Sequence, residues 1–272
     1  MKKREILGTV LLAAMLVAGS VTVLAEEDNT EQETQEQEGD IQKQQSEIDA
    51  ALQAELENGY ALKDALIVVN PYGTAPLSAV AVFTTEEACG GTVTVKGKSP
   101  ENDVTGTFEA DTDHIVPIYG LYSGQATEVV ITLDDGTSST FSVETESVNV
   151  DYGTIQTEML DESAYDYSQL TFVCSTMGSV YAVDAAGDLR FFTDMGGTLG
   201  VHQLRNGHLC MPSLEVLHPT YYKTGLIEID LTGKVYQEYE VPGGQHHDFV
   251  ELPDGNLLVA SDAEDFSTVE DC

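Results

Sequence analysis

The stretch that decides the fold of this chain is Gly243-Gly244-Gln245-His246-His247-Asp248-Phe249-Val250-Glu251-Leu252-Pro253-Asp254-Gly255-Asn256-Leu257-Leu258-Val259-Ala260. Phe249–Leu252 and Leu257–Ala260 are short apolar runs, and residues 253–256 between them form a turn in which glycine supplies the positive φ. The pattern predicts a β-hairpin, and two histidines and an aspartate, residues 246–248, lie at the start of its first strand. Side chains at a strand mouth are held by a rigid sheet, and β-scaffolds often carry their chemistry there.

The same pattern occurs once earlier, which indicates an internal repeat. Residues Tyr181–Arg190 match Ile227–Tyr236 at a spacing of 46, from residue 184 to residue 230. Residues Leu204–Cys210 match Leu252–Leu258 at a spacing of 48, from residue 204 to residue 252. Short strands that repeat at about 40–50 residues are typical of β-propeller blades. We therefore predict a partial β-propeller of about two blades over residues 170–272.

Residues 60–146 show a different pattern, in which short apolar segments alternate with turns. The turns are predicted at residues 89–91, 123–124 and 134–136. The predicted strands are Leu66–Val69, Ala79–Thr84, Thr92–Lys96, Thr105–Glu109, Ile115–Tyr119, Glu128–Leu133 and Thr140–Thr145. Strands of this length and spacing favour an immunoglobulin-like β-sandwich, so the fold class is all-β. The segment is long enough that we expect it to fold alone.

Two regions of the sequence resemble the bacterial aryl sulfotransferases that do not use a nucleotide sulfate donor. The first is His-His-Asp-Phe-x-x-Leu-Pro-Asp-Gly-Asn-Leu-Leu at residues 246–258. The second is Val69–Leu77, followed by Thr92–Lys98 and Pro117–Leu121, which is similar to the N-terminal β-sandwich domain of that family. The resemblance runs from about Tyr60 to the last residue. It implies a sandwich followed by the first blades of a six-bladed propeller.

The resemblance also implies an enzyme that transfers a sulfuryl group from an aryl sulfate donor to an acceptor phenol through a sulfohistidine. The His-His-Asp motif matches an active-site histidine of the family, so the implied catalytic residues are His247, His246 and Asp248. We favour His247 over His246 for holding the sulfuryl oxygens, because strand alternation should point the two apart. Asp248 is expected to orient a histidine. The family's nucleophilic histidine lies in a later blade, so residues 1–272 are expected to be an N-terminal fragment that is inactive alone.

Other interpretations of these residues remain open. The histidines at 246 and 247 are also compatible with an exposed polar loop that carries no chemistry. The whole chain is also compatible with a secreted sandwich-plus-propeller protein that binds a partner without catalysis. His202, His208, Cys210 and His218 cluster in sequence, but their spacing matches no metal-site pattern, so we predict no metal. No glycine-rich phosphate loop follows a strand and opens a helix, and we predict no cofactor.

The net charge of −36 argues against nucleic acid and anionic membrane surfaces as partners. An anionic donor would be repelled at long range and would need local positive or hydrogen-bonding groups. Met1–Ala25 has the basic start, apolar run and small final residue of a signal peptide. The mature protein is therefore expected to be extracytoplasmic, either periplasmic or secreted, and to keep no membrane span.

The segments between these regions complete the predicted organisation. Residues 26–59 are predicted to be an acidic disordered tether followed by a short helix over residues 41–57, which Asn58-Gly59 ends. The apolar stripe of that helix is expected to dock on its own chain, although the family includes homodimers and a second subunit is the alternative. Residues 147–169 are predicted to be a linker.

Overall fold

A computed structural model describes residues 30–149, 155, 158, 169–174, 179–197, 200–214 and 223–262, with only the helical backbone given for residues 30–40. The chain divides into two units, Met1–Gly39 and Asp40–Cys272. The first contributes only the start of the helix to the described residues. The predicted signal peptide lies outside the described residues, as does most of the predicted linker. None of the described helices is both long and apolar enough to cross a membrane.

The helix α1 spans Thr30–Glu55 and begins earlier than predicted. Residues 30–40, which we predicted to be a disordered tether, are helical because glutamate and glutamine favour helices once a turn has formed. The predicted stop is confirmed. A short 3₁₀ turn at Leu56–Asn58 ends at Gly59, whose φ of 63° is left-handed.

The C-terminal part of α1 packs on its own chain. Leu52 is buried against Val80 and Val82, with Ile48 and Leu56 on either side of it along the helix. Docking on the same chain, which we expected, therefore takes place. Formation of a homodimer stays a prediction.

The N-terminal domain is a single curled antiparallel sheet. Its strands are β1 (Leu66–Val69), β2 (Ser78–Val95), β3 (Val104–Tyr119), β4 (Ala126–Leu133) and β5 (Ser138–Glu144). The strand β3 pairs with the whole length of β2, whereas β1 pairs with the first half of β2 and β4 with the second half. The curled sheet encloses a core that includes Phe83, Ile118 and Ile131.

The predicted turn at residues 89–91 is wrong, because these residues lie within β2. The ladder with β3 is irregular at Cys89 and then resumes at Gly91, so a bulge replaces the turn. A Cβ on Gly91 would lie 2.4 Å from the carbonyl oxygen of Thr132, which shows how closely β4 approaches. Two pairs of predicted strands consequently merge into β2 and β3.

Two further antiparallel sheets follow, as the blade prediction requires. The first contains β6 (Thr171–Cys174), β7 (Val180–Val183) and β8 (Leu189–Thr193). The second contains β9 (His202–Gln203), β10 (Leu209–Pro212), β11 (Lys223–Ile229), β12 (Val235–Glu251) and β13 (Leu257–Ser261). The prediction of an all-β chain with an immunoglobulin-like domain and propeller-like blades is confirmed.

The predicted repeat has the same turn chemistry in both copies. Asp184 accepts hydrogen bonds from the backbone N–H groups of residues 186 and 188, at 3.1 and 3.0 Å. Asp230 accepts from the N–H groups of residues 232 and 234, at 2.8 and 3.1 Å. Gly187 and Gly233 follow with φ of 83° and 85°. An aspartate that bonds its own turn, followed by a left-handed glycine, therefore closes each hairpin.

The core of the N-terminal domain continues into the first blade sheet. Tyr181, Val183 and Phe192 of that sheet belong to the same apolar cluster as Phe83 and Ile118. A continuous core favours joint unfolding of the sandwich and the first blade over the independent sandwich that we expected.

The guanidinium of Arg190 joins the same two parts. It is completely buried and donates to the carbonyl oxygens of Gly120 and Asn102, at 2.7 and 2.9 Å. The same group forms a 2.9 Å ion pair with Asp184. A buried charge is costly unless it is paired and hydrogen-bonded, and these contacts join the first blade sheet to the N-terminal domain.

Candidate active site

Residues 246–248 form a bulge in β12. The ladder pairs Gln245 with Ser261 and next pairs Phe249 with Val259, which leaves three residues of β12 opposite a single residue of β13. Bulges bend a strand and re-aim its side chains, and they occur frequently beside active sites. The His-His-Asp motif is therefore displayed by an irregular backbone rather than by an alternating strand.

The backbone around the bulge is left-handed at three positions. Gly243, Gly244 and His247 have φ of 79°, 83° and 67°. A Cβ on Gly243 would lie 2.1 Å from the carbonyl oxygen of Asp262, so only glycine fits there. A residue other than glycine in this region costs about 1–3 kcal/mol, and such strain concentrates at functional sites. His247 is held in a conformation that its own preferences do not favour.

The two histidine rings contact each other. Their centroids lie 3.8 Å apart with an interplanar angle of 63°. His246 is half-buried and His247 is exposed. Strand alternation predicted that they would point in different directions, and this prediction is wrong because the bulge breaks the alternation. Both rings therefore belong to one surface.

Asp248 contacts a histidine from another strand, as expected of an orienting carboxylate. Its Oδ1 lies 3.1 Å from Nε2 of His202 and accepts a 2.9 Å hydrogen bond from the backbone N–H of Phe249. The ring of His202 also packs on Phe249, with centroids 4.5 Å apart. Sequence analysis missed His202 as a partner of the motif. A signal was available, because His202 precedes Asp248 by 46 residues, the spacing of the repeat from residue 184 to residue 230.

His208 belongs to a separate network centred on Glu228. The Glu228 carboxylate contacts Nδ1 of His208 at 2.7 Å and accepts hydrogen bonds from Asn206 and Tyr239, at 2.8 and 2.7 Å. Burial raises the pKa of Glu228, but the hydrogen bonds from Tyr239, Asn206 and His208 outweigh it and leave that pKa below its usual value. The ionised carboxylate thus joins β11 to β12 and to the turn between β9 and β10.

Among the described residues, no group of three or more histidine, cysteine, aspartate or glutamate side chains is arranged to hold a metal. His218 lies outside the described residues. Burial, followed by the nearby Glu228 carboxylate, raises the pKa of Cys210 to about 12. Cys210 is consequently a protonated core thiol rather than a metal ligand or nucleophile.

A cavity lies elsewhere, between α1, the N-terminal domain and the β11–β12 turn. It has a volume of about 330 Å³, and its lining includes none of residues 246–248. Lys234 crosses it to pair with Asp49 at 2.7 Å, and Tyr72 donates to the same carboxylate at 2.7 Å. These contacts tie α1 to the second blade sheet. We therefore assign the cavity to packing, and the bulge, where the two histidine rings meet, is the candidate site.

Two family sequence models match the chain. The arylsulfotransferase Ig-like domain matches residues 66–152, and the arylsulfotransferase (ASST) model matches residues 156–272. No curated protein matches the chain. The first region contains the curled sheet, and the second contains the repeat, the bulge and the His202–Asp248 contact. Together the two regions cover most of the chain in the order that the sequence motifs implied, and the chain therefore belongs to the aryl sulfotransferase family.

Proposed function

We propose that this chain takes part in transfer of a sulfuryl group from an aryl sulfate to an acceptor phenol. The observation that carries the proposal is the bulge at residues 246–248, which puts two contacting histidine rings on one surface in a chain of this family. Bulges and strained residues concentrate where a protein positions reacting groups. The substrates are small aromatic molecules, one anionic and one neutral.

The reaction runs in two displacements. In the first, an imidazole nitrogen attacks the sulfur, the N–S bond forms, and the bond between sulfur and the aryl oxygen breaks. The leaving phenolate takes a proton from a general acid, because the pKa of a phenol is about 10. In the second, a general base takes the proton of the acceptor phenol, its oxygen attacks the same sulfur, the O–S bond forms, and the N–S bond breaks to release the imidazole. One difficult transfer is thus divided into two easier ones.

Within this proposal, His247 and His246 donate hydrogen bonds to the sulfuryl oxygens as charge develops on them. Asp248 holds the ring of His202 beside the bulge and fixes which nitrogen carries the proton. The nucleophile is proposed to be a different histidine, from a later blade, as the family resemblance implies. Residues 1–272 alone are then proposed to bind substrate without turning it over.

The test is turnover of 4-nitrophenyl sulfate by the complete gene product, with phenol as acceptor and release of 4-nitrophenol as the readout. We expect ping-pong kinetics and a marked loss of rate in His247→Ala. His208→Ala is the matched control, since its ring bonds Glu228 and belongs to a different network. Unchanged turnover in a His246→Ala/His247→Ala double variant would remove the bulge from the mechanism. Phenyl sulfate binding without any turnover would favour the non-catalytic alternative.

We also propose that the protein is exported and that Met1–Ala25 is removed, on the sequence pattern of that segment. N-terminal sequencing of material from the culture medium or periplasm is the direct measurement. A mature chain that begins at Met1 would refute the proposal.

A further inference from the structure

Lys223 is a buried cation with no carboxylate partner among the described residues. Lys223 is 8% exposed. Its Nζ donates one hydrogen bond, at 2.8 Å, to the carbonyl oxygen of Leu214. Arg190, the other buried cation of the described part of the chain, is paired with Asp184. An ammonium group has three donors, so Lys223 keeps unused hydrogen-bonding capacity. Burial lowers the pKa of this ammonium below its usual value.

Gln245 is a buried amide whose hydrogen-bonding groups are also unused. It is 0% exposed, and neither its Nε2 nor its Oε1 has a hydrogen-bond partner within the described parts of the chain. Buried side-chain amides are ordinarily paired, so an unpaired one is an exception that requires a cause. Gln245 immediately precedes the bulge at residues 246–248.

Register places these two residues side by side. Lys223 of β11 stands directly opposite Gln245 of β12, and Gln245 stands directly opposite Ser261 of β13. Residues directly opposite in antiparallel strands project from the same face of the sheet. The three side chains therefore form a row of ammonium, amide and hydroxyl donors across the sheet, and Gln245 directly precedes His246 in the chain.

The row is held in place although the strand around it is irregular. On the β11 side, Glu240 pairs with Gly225 and Gln245 pairs with Lys223, so residues 241–244 of β12 form a bulge between these two pairs. Residues 246–248 bulge on the β13 side. Gln245 is the residue of this segment that stays in register with both neighbouring strands. Gln245 is consequently held between β11 and β13, with an irregular segment of β12 on each side of it.

We propose that Lys223 and Gln245 form a subsite that binds the sulfonate oxygens of the aryl sulfate donor, which rests on the proposed function. The chain carries a net charge of −36, so a monoanionic sulfate ester reaches the site only if local positive charge and donors offset the repulsion. Lys223 supplies that charge where its field is least screened. The Gln245 amide supplies a directed donor to a second oxygen. Neither residue takes part in a covalent step.

The test is binding of phenyl sulfate to the 272-residue chain, measured by isothermal titration calorimetry at constant ionic strength with sodium chloride as the balancing salt. We expect Lys223→Met to weaken binding by about tenfold or more, because it removes a charge-assisted donor and keeps the shape of the side chain. Lys63→Met is the matched control. It removes the same charge from an exposed lysine paired with Asp64, and it should change affinity less than about twofold.

Two further variants keep the proposal falsifiable if Lys223→Met does not fold. Lys223→Arg retains the charge and should retain binding. Gln245→Glu places a carboxylate beside Lys223, so it should pair with the ammonium and abolish phenyl sulfate binding while the fold is preserved. Absence of binding by the wild-type chain, equal loss in Lys63→Met, or unimpaired binding in folded Lys223→Met or Gln245→Glu would overturn the subsite.

Binding and turnover separate this proposal from the proposed function. If phenyl sulfate binds in a Lys223-dependent manner but the complete gene product does not transfer sulfuryl groups, the subsite stands and the catalytic proposal fails. If the complete gene product turns over aryl sulfates and Lys223→Met binds and reacts normally, the subsite fails and the catalytic proposal stands.

Discussion

Replacement of Asp184 by asparagine would remove one negative charge beside a guanidinium that is completely buried. Asparagine keeps the size of aspartate and the oxygen that accepts the N–H groups of residues 186 and 188, so the turn of the first hairpin is retained. The variant therefore tests the buried charge of Arg190 and not the turn. Removal of one partner from a buried ion pair costs about 3–5 kcal/mol.

We expect the lower end of that range, about 3 kcal/mol, because Arg190 keeps its carbonyl acceptors on Gly120 and Asn102. In a chain of this size, a loss of 1 kcal/mol lowers the melting temperature by about 2–4 °C, so the expected shift is about 6–12 °C. Urea denaturation followed by circular dichroism measures the free energy of unfolding directly. The sequence has no tryptophan and 12 tyrosines, so tyrosine fluorescence is the second probe.

Asp188→Asn is the control, since it makes the same substitution in a solvent-exposed ion pair. Its carboxylate lies 2.6 Å from the Nζ of Lys98, and the two side chains are 28% and 56% exposed. Exposed pairs contribute about 0–1 kcal/mol. An Asp184→Asn variant that loses no more free energy of unfolding than Asp188→Asn would refute the claim that Arg190 needs its counter-charge.

The other predictions concern the active site, the pH dependence and the chain itself. His247→Ala in the complete gene product should reduce sulfuryl transfer by about 10²-fold, and His246→Ala by less, as measured by 4-nitrophenol release. The pKa of Glu228 lies below its usual value, so wild-type stability should fall as the pH drops below about 4.5, and urea midpoints should show a smaller fall in Glu228→Gln. The 272-residue chain alone should show no acceptor-dependent turnover, and any such turnover would place a nucleophile among its six histidines.

The turns were predictable because each depends on a few consecutive residues. Gly187, Gly207, Gly233 and Gly255 all have positive φ, between 83° and 88°, at the ends of the repeated segments. A glycine after an aspartate or asparagine turn specifies this geometry locally. The hairpins and the repeat spacing, and with them the propeller-like part, therefore follow from the sequence without knowledge of any long-range contact.

The continuity of strands was not predictable in the same way. Residues 89–91 contain two glycines, which favour a turn when only the sequence is considered. In the structure, the same glycines allow the backbone of β2 to approach β3 and β4 closely. Whether a Gly-Gly pair ends a strand or bends it depends on partners that are distant in sequence. Contacts such as that between Arg190 and Asn102 could not be predicted from local sequence patterns for the same reason.

The placement of residues 246–248 at the start of a hairpin was predictable, but their geometry was not. The sequence identified residues 246–248, and strand alternation then predicted that the two histidines diverge. A bulge is a property of two strands, because its extra residues are defined relative to the partner strand. Here β13 pairs with Gln245 and Phe249 but not with the residues between them, and the sequence of β12 alone does not show this. The pairing of Asp248 with His202 has the same origin, since it joins strands from different hairpins.

The excess of acidic residues makes it unusual that Lys223 has no carboxylate partner among the described residues. The chain has 47 acidic residues and 11 basic ones, so a carboxylate is abundantly available for every lysine and arginine. Lys96, Lys98 and Lys234 each have one, and their ammonium groups are less buried than that of Lys223. Burial without a carboxylate partner in the described part of the chain costs stability, and substitution by methionine should therefore leave the urea midpoint unchanged or raise it. A side chain whose removal stabilises the fold is retained for another reason, and an anionic substrate beside the histidines supplies one.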